Sequence, residues 1–228
     1  GYIGNKNASQ VLIEGLKKLE YRGYDSAGIA IIDGDDILVR KCKGALKFLE
    51  QKIADETIKG SVGIGHTRWA THGEPSDTNS HPHASMDGSI SIVHNGIIEN
   101  YATIKAQLQA QGSVFLSQTD TEVVVHLIDK IYKEEKDIFK AVLKVLHMVE
   151  GSYALGVICK DYPDRVICCR KESPLVIGLG KDENFIASDV PALLEHTRDV
   201  YYLGEKELAV LYTDHVDLFN FEGEKIIK

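Results

Sequence analysis

The sequence predicts an α+β fold in which two antiparallel sheets pack face to face and carry helices on their outer surfaces. Three observations support this. Strand-like segments come first, helices follow, and strand-like segments return after Gly151, an order that suits antiparallel layers better than alternating βαβ units. The strands after Gly151 are short and separated by brief turns. No low-complexity linker or internal repeat interrupts the 228 residues, so one domain is expected over 1–228.

Taken in order, Gly1-Tyr2-Ile3-Gly4 reads as the end of a strand entering a turn. Ala8, Val11, Leu12, Leu16 and Leu19 recur at helical spacing over residues 8–20. Residues 27–32 and 37–41 flank Asp33-Gly34-Asp35-Asp36, a hairpin signature. Leu46, Leu49 and Ile53 predict a short helix. Residues 61–67 and 89–94 read as strands, and the polar, His-rich stretch 68–88 between them reads as a long loop of the kind that carries function or is disordered. Helices are expected over 101–111, 121–132 and 138–148, the second with Val123, Val124, Leu127, Ile128 and Ile131 on one face. Strands are then expected at 154–159, 166–170, 175–179, 185–187, 200–203, 208–212 and 216–219, with a short helix near 190–195.

The chain is 43% apolar and 26% charged, ordinary for a globular protein with a sizeable core. Its net charge of −8 argues against nucleic acid or an anionic membrane surface as a partner. No apolar run is long enough to span a bilayer, and no signal segment opens the chain. Cys42, Cys159, Cys168 and Cys169 form no metal-ligand or redox spacing, so buried free thiols and a cytoplasmic location are expected.

The block His66-Thr67-Arg68-Trp69-Ala70-Thr71-His72-Gly73-Glu74-Pro75 holds the only Trp of the chain, two His, an Arg and two hydroxyls. Neither an amphipathic helix nor a core strand needs that mixture, but a site for a small zwitterion does. Five of the nine His fall between His66 and His94, which raises the idea of a zinc site; no HExxH pair or Cys partner accompanies them, and hydrogen bonding to loop backbone accounts for them better. No cofactor is implied. Asn95-Gly96 reads either as a type I′ turn or as two donors aimed at one point, the construction of an oxyanion hole. Asp120, within Thr119-Asp120-Thr121-Glu122, reads as a first-turn acid of a capped helix, as an ammonium ligand, or as both. The dense loop from Tyr21 to Gly28 lacks a phosphate-loop pattern, and Ser26 lacks a nucleophile elbow.

Together, residues 21–28 and 66–75, His81-Pro82-His83, residues 93–100 and 117–122, Ser173-Pro174-Leu175 and residues 184–189 resemble the glutaminase domain of the type 2 glutamine amidotransferases. The form is that of the isomerizing glutamine–fructose-6-phosphate aminotransferases, or glucosamine-6-phosphate synthases. The Arg-Trp-Ala-Thr-His form favours that branch over amidophosphoribosyltransferase and asparagine synthetase, which share the fold. The resemblance covers essentially the whole chain. It implies the four-layer αββα sandwich of N-terminal-nucleophile hydrolases. It also implies hydrolysis of L-glutamine to L-glutamate through an N-terminal Cys thioester, with ammonia passed to a sugar-isomerase domain for synthesis of glucosamine 6-phosphate, the start of UDP-N-acetylglucosamine supply.

By resemblance, Arg68 pairs with the glutamine α-carboxylate beside Thr71 and His72, and Asp120 holds the α-ammonium. Asn95 and Gly96 are the oxyanion donors, Trp69 gates the channel, and Arg22 shapes the nucleophile's surroundings. The family begins Cys-Gly-Ile-Val-Gly, whereas this chain begins Gly1-Tyr2-Ile3-Gly4 and stops near Lys228. About four residues, the nucleophile among them, and the sugar-isomerase region have no counterpart. The 228-residue chain is therefore expected to bind glutamine or glutamate weakly and turn over nothing. A non-catalytic binding or regulatory module on the same fold stands as the alternative.

Overall fold

A computed structural model describes residues 1–228. In chain order its elements are β1 (Tyr2–Ile3), α1 (Ala8–Lys17), β2 (Ser26–Asp33), β3 (Asp36–Lys43), α2 (Leu46–Ile53), β4 (Val62–Arg68), β5 (His83–Ala84), β6 (Ile90–Ile98), α3 (Tyr101–Ala110), α4 (Asp120–Glu135) and α5 (Ile138–Leu146). There follow β7 (Gly151–Cys159), β8 (Val166–Lys171), β9 (Val176–Leu179), β10 (Asn184–Ala187), β11 (Val200–Tyr202), β12 (Glu207–Leu211), β13 (Val216–Asn220) and β14 (Lys225–Ile226). Single 3-10 turns lie at Glu20–Arg22 and Val190–Ala192.

One sheet runs β11-β9-β10-β1-β4-β2-β3 and the other β14-β13-β12-β8-β7-β6-β5. Neighbouring strands pair antiparallel throughout both sheets. Side-chain alternation along the strands then builds three apolar layers. Ile29 and Ile31 of β2 meet Val11, Leu12 and Leu16 of α1 and Leu46 and Leu49 of α2. Ala30 and Ile32, from the opposite face of β2, meet Val93, Ala154 and Ile158 between the sheets. Ile92, Leu155 and Val157 face the helices of the other side, including Val124, Ile128, Val142 and Val145. The result is the expected four-layer α+β sandwich. The adjacent thiols follow the same rule, Cys168 lying between the sheets and Cys169 under the helices. All four cysteines are buried and free.

Several boundaries differ from expectation. The helix over 8–20 ends at Lys17 and gives way to the 3-10 turn. The stretch 68–88 is not all loop, because His83 and Ala84 pair with Ile92 and Ser91 as an edge strand. The segment 190–195 forms only one 3-10 turn, and β14 was not anticipated. The main correction concerns Asn95-Gly96: β6 does not stop at His94 but runs through Asn95 and Gly96 to Ile98, with Gly96 opposite Tyr153. Gly96 has φ +114, and a Cβ there would collide with the Ser152 carbonyl oxygen, so only glycine continues the strand. No helix is long and apolar enough to cross a membrane.

Candidate active site

The residues singled out by composition come together where the ends of β4 and β6 approach the first turn of α4. A pocket of about 300 Å³ is lined there by Arg68, Trp69, Thr71, Asn95, Gly96 and Asp120, with Arg22, Gly23 and several histidines completing its walls. These side chains come from both sheets, one helix and two loops, so their meeting depends on the packing of the whole sandwich.

Arg68, the last residue of β4, is buried at 4% exposure. Its Nη2 donates to the carbonyls of His72 and Gly73, while its Nη1 is buried without a partner in the chain. Burial lowers its pKa, against the pull of Asp25 and Asp120. Asp120 is buried as well, and its Oδ2 accepts from the Ile98 amide at 2.8 Å. Thr119 caps α4 by accepting from the Glu122 amide. The capping and pocket readings of this motif are therefore compatible, with the cap on Thr119 and Asp120 left to face the pocket. A cationic fork with a free arm and a carboxylate with a free oxygen are the complement of an α-amino acid.

Asn95 supplies the polar end. His66 Nε2 donates to Asn95 Oδ1 at 2.7 Å, which leaves the amide nitrogen as the free group of that side chain. Trp69 is exposed at 69% and stands over Gly23 at the rim. Arg22 reaches across to donate to Ser188 Oγ at 2.7 Å. Thr71 lines the pocket, but the ring of His72 does not; it packs on Tyr101 with centroids 5.1 Å apart, and only its carbonyl joins the Arg68 network. Ser26 is fully buried within β2 and lies outside the pocket lining.

Sequence reasoning assigned no role to Asp25 and gave the buried histidines only hydrogen bonding to loop backbone. Asp25 Oδ2 accepts from the Ala70 amide at 2.7 Å and so anchors the strand exit that presents Trp69. The His cluster is not bonded to loop backbone as expected. His94 Nδ1 meets Thr121 Oγ1 at 2.8 Å, His83 Nε2 meets Thr119 Oγ1 at 2.9 Å, and His66 stacks on His81 at 4.3 Å. No group of three His, Cys, Asp or Glu side chains is arranged to hold a metal ion. Desolvation lowers His66 to about 4, takes His81 and His83 well below the ordinary value, and lowers His94. The imidazoles are thus neutral polar packing.

A narrower cavity of about 90 Å³ adjoins the pocket between β4 and β10, with Gly1, Gly65, His66, Asn95 and Ile186 among its walls. Gly1 donates to the Ile186 carbonyl at 2.8 Å and accepts from the Ile186 amide at 3.0 Å. No cysteine lines either cavity, and burial pushes the thiols of Cys159 and Cys168 up to about 11 and about 12.

A family model described as a glutamine amidotransferase domain matches residues 45–220. The isomerizing glutamine–fructose-6-phosphate aminotransferase of Clostridium tetani is 57% identical over 226 residues, which are 99% of this chain and 37% of that protein. Its counterpart from Clostridium acetobutylicum is 56% identical over 228 residues, 100% of this chain and again 37% of the relative. The chain thus spans little more than a third of the curated relatives it matches. Among solved structures, glutamine phosphoribosylpyrophosphate amidotransferase from B. subtilis, complexed with ADP and GMP, superposes with a TM-score of 0.83 at 28% identity. That match covers 96% of this chain and 48% of the other.

Proposed function

Since the chain belongs to the glutamine amidotransferase domain family, we propose that its 228 residues form one glutaminase domain of an isomerizing glutamine–fructose-6-phosphate aminotransferase. In this reading it hydrolyses L-glutamine to L-glutamate and passes the ammonia to a sugar-isomerase domain, which aminates fructose 6-phosphate. The observation that carries the reading is the pairing, in one pocket, of a buried Arg68 whose Nη1 lacks a partner with Asp120 and the Asn95 amide.

Arg68 takes the α-carboxylate, with Thr71 and the 71–73 backbone beside it, and Asp120 takes the α-ammonium. The side-chain carbonyl then points to Asn95 Nδ2 and the Gly96 amide, which stabilise the oxyanion of the tetrahedral adduct. The nucleophile is a Cys thiol upstream of Gly1. Tyr2 faces Gly63 and Ile3 faces Val62 in the β1–β4 register; continued backwards, that register would put the fourth residue before Gly1 opposite Arg68. That register supports the thiol reading, as does the cavity leading from Gly1 to the pocket. The thiol gives its proton to its own α-amino group and attacks the amide carbon. The C–N bond breaks as nitrogen takes that proton and leaves as ammonia. Water then cleaves the thioester, restoring the thiol. In this reading Trp69, exposed at the rim over Gly23, acts as the gate for departing ammonia, and Arg22 braces the nucleophile's loop. The four free thiols suit a reducing cytoplasm.

The test compares two proteins. The 228-residue chain alone should bind glutamate yet release none from glutamine, because no thiol within it faces the pocket. The same chain preceded by Cys-Gly-Ile-Val, with the Cys at a free N-terminus, should release glutamate. Turnover by the unextended chain would refute the thiol mechanism. Glutamate binding with no turnover by the extended chain would favour a non-catalytic binding module on this fold.

A further inference from the structure

We infer that His66 is a positioning residue for the oxyanion donors: through a hydrogen bond between the two sheets it fixes which end of the Asn95 amide faces the reacting carbonyl. This rests on the glutaminase reading and deepens it.

His66 belongs to β4 and Asn95 to β6, so their 2.7 Å contact crosses from one sheet to the other. Asn95 Oδ1 can only accept, so Nε2 carries the imidazole proton and Nδ1 is the bare nitrogen. Nδ1 is indeed buried without a partner. A bare lone pair is the cheaper atom to leave there, because the other tautomer would bury an unsatisfied N–H. That other tautomer would also invite Asn95 to rotate and spend its NH2 on His66, presenting an oxygen lone pair to a developing oxyanion. The imidazole therefore decides between a donor and a repulsive acceptor at the same site.

Its plane is held by His81, which stacks on it at 14°, and His81 is in turn held near Thr121 Oγ1 at 3.4 Å. Around the ring, burial and the charges of His94 and Arg68 disfavour a charged imidazole and outweigh the Asn95 bond and the His94 backbone, which favour it. His66 thus remains a neutral single donor while Asn95 works.

The experiment uses the full-length protein and measures kcat and KM for glutamine. Deleting one oxyanion donor typically costs about 100- to 1,000-fold in kcat. Loss of its orientation, in His66→Leu, should cost roughly 10- to 100-fold in kcat while KM changes less than about threefold. His66→Gln, whose amide can still donate to Asn95, should recover most of that loss. In an Asn95→Ala background, His66→Leu should cost less than about threefold further, since no amide remains to be oriented. Glutamate affinity, measured by calorimetry, should match wild type in both His66 variants and certifies that they fold.

Equal kcat in wild type and His66→Leu would overturn the inference, as would an undiminished loss in the Asn95→Ala background. Failure of the wild-type protein to hydrolyse glutamine would instead overturn the glutaminase reading, so the two failures are separable.

Discussion

Arg68 keeps a guanidinium where little water reaches it and where only part of its donor set is satisfied. In the proposed site an incoming carboxylate completes that set, so Arg68→Ala should weaken glutamate binding by at least about 30-fold, in line with the roughly 2–5 kcal/mol typical of truncating a buried charged pair. Arg68→Lys should recover little, because an ammonium cannot hold the His72 and Gly73 carbonyls and a carboxylate in one plane. Titration calorimetry with glutamate checks both, and near-wild-type affinity in Arg68→Ala would exclude it as the carboxylate ligand. Arg68 was singled out in the sequence because its block fits no simple helix or strand pattern, and Asp120 because a first-turn acid of a capped helix can also face a pocket. The direction of His72 was not legible there. A loop sequence does not tell which side chain turns inward, and the ring is claimed by Tyr101, a residue 29 positions away in the next helix.

At the scale of elements, α4 and β6 show what local patterns can and cannot reveal. The start of α4 was readable because its cap is local. Thr119 accepts from Glu122, and Glu122 returns to accept from the Leu116 and Ser117 amides at 2.8 and 2.7 Å. Burial pushes the Glu122 carboxyl up, but these bonds and His126 outweigh it and hold it at about 2. Thr119→Ala removes the cap and the partner of His83 together, and should cost about 1–2 kcal/mol in urea unfolding, with Thr119→Ser near wild type. An unchanged midpoint in Thr119→Ala would mean that the cap contributes nothing.

The end of β6 was placed short, at His94, because Asn-Gly is a strong turn signal and Glu99-Asn100 leads into a helix; what carries the strand on is distant in sequence. Residues 95–98 pair with residues 151–154 of β7. The strand passes through a positive φ at Gly96 that no local rule demands. Gly96→Ala should therefore destabilise by more than about 2 kcal/mol, combining backbone strain with the collision at Ser152. A stable Gly96→Ala protein would show that the strand can relax there.

Over the whole molecule, the two sheets meet through Ala30, Ile64, Ala154 and their neighbours along most of their contact, and through imidazoles at the pocket end. His66 comes from one sheet, His94 from the other, and His81 and His83 from the loop and edge strand between them. The layer order was legible because strand alternation and the strand–helix–strand sequence are chain-wide patterns. The replacement of apolar packing by histidines was visible only as a count, since their partners are single hydroxyls, the Asn95 amide and each other.

That exchange has a consequence for stability. Each imidazole titrates near 6.5 when unfolded. In the folded state desolvation takes His66 to about 4, His81 and His83 well below 6.5, and His94 lower as well. Below 6.5 the unfolded chain therefore binds more protons than the folded one. The stabilisation is complete above that pH and is lost as pH falls toward 4, each group adding up to about 1.4 kcal/mol per pH unit. Glu122 acts lower, losing its contribution between 4.5 and about 2. Urea unfolding should thus give a clearly lower stability at pH 5 than at pH 7, and the slope should be shallower in His81→Gln, which carries no titrating ring. A flat profile from pH 7 to 5 would mean that the cluster takes up protons without unfolding, and that water reaches the seam between the sheets.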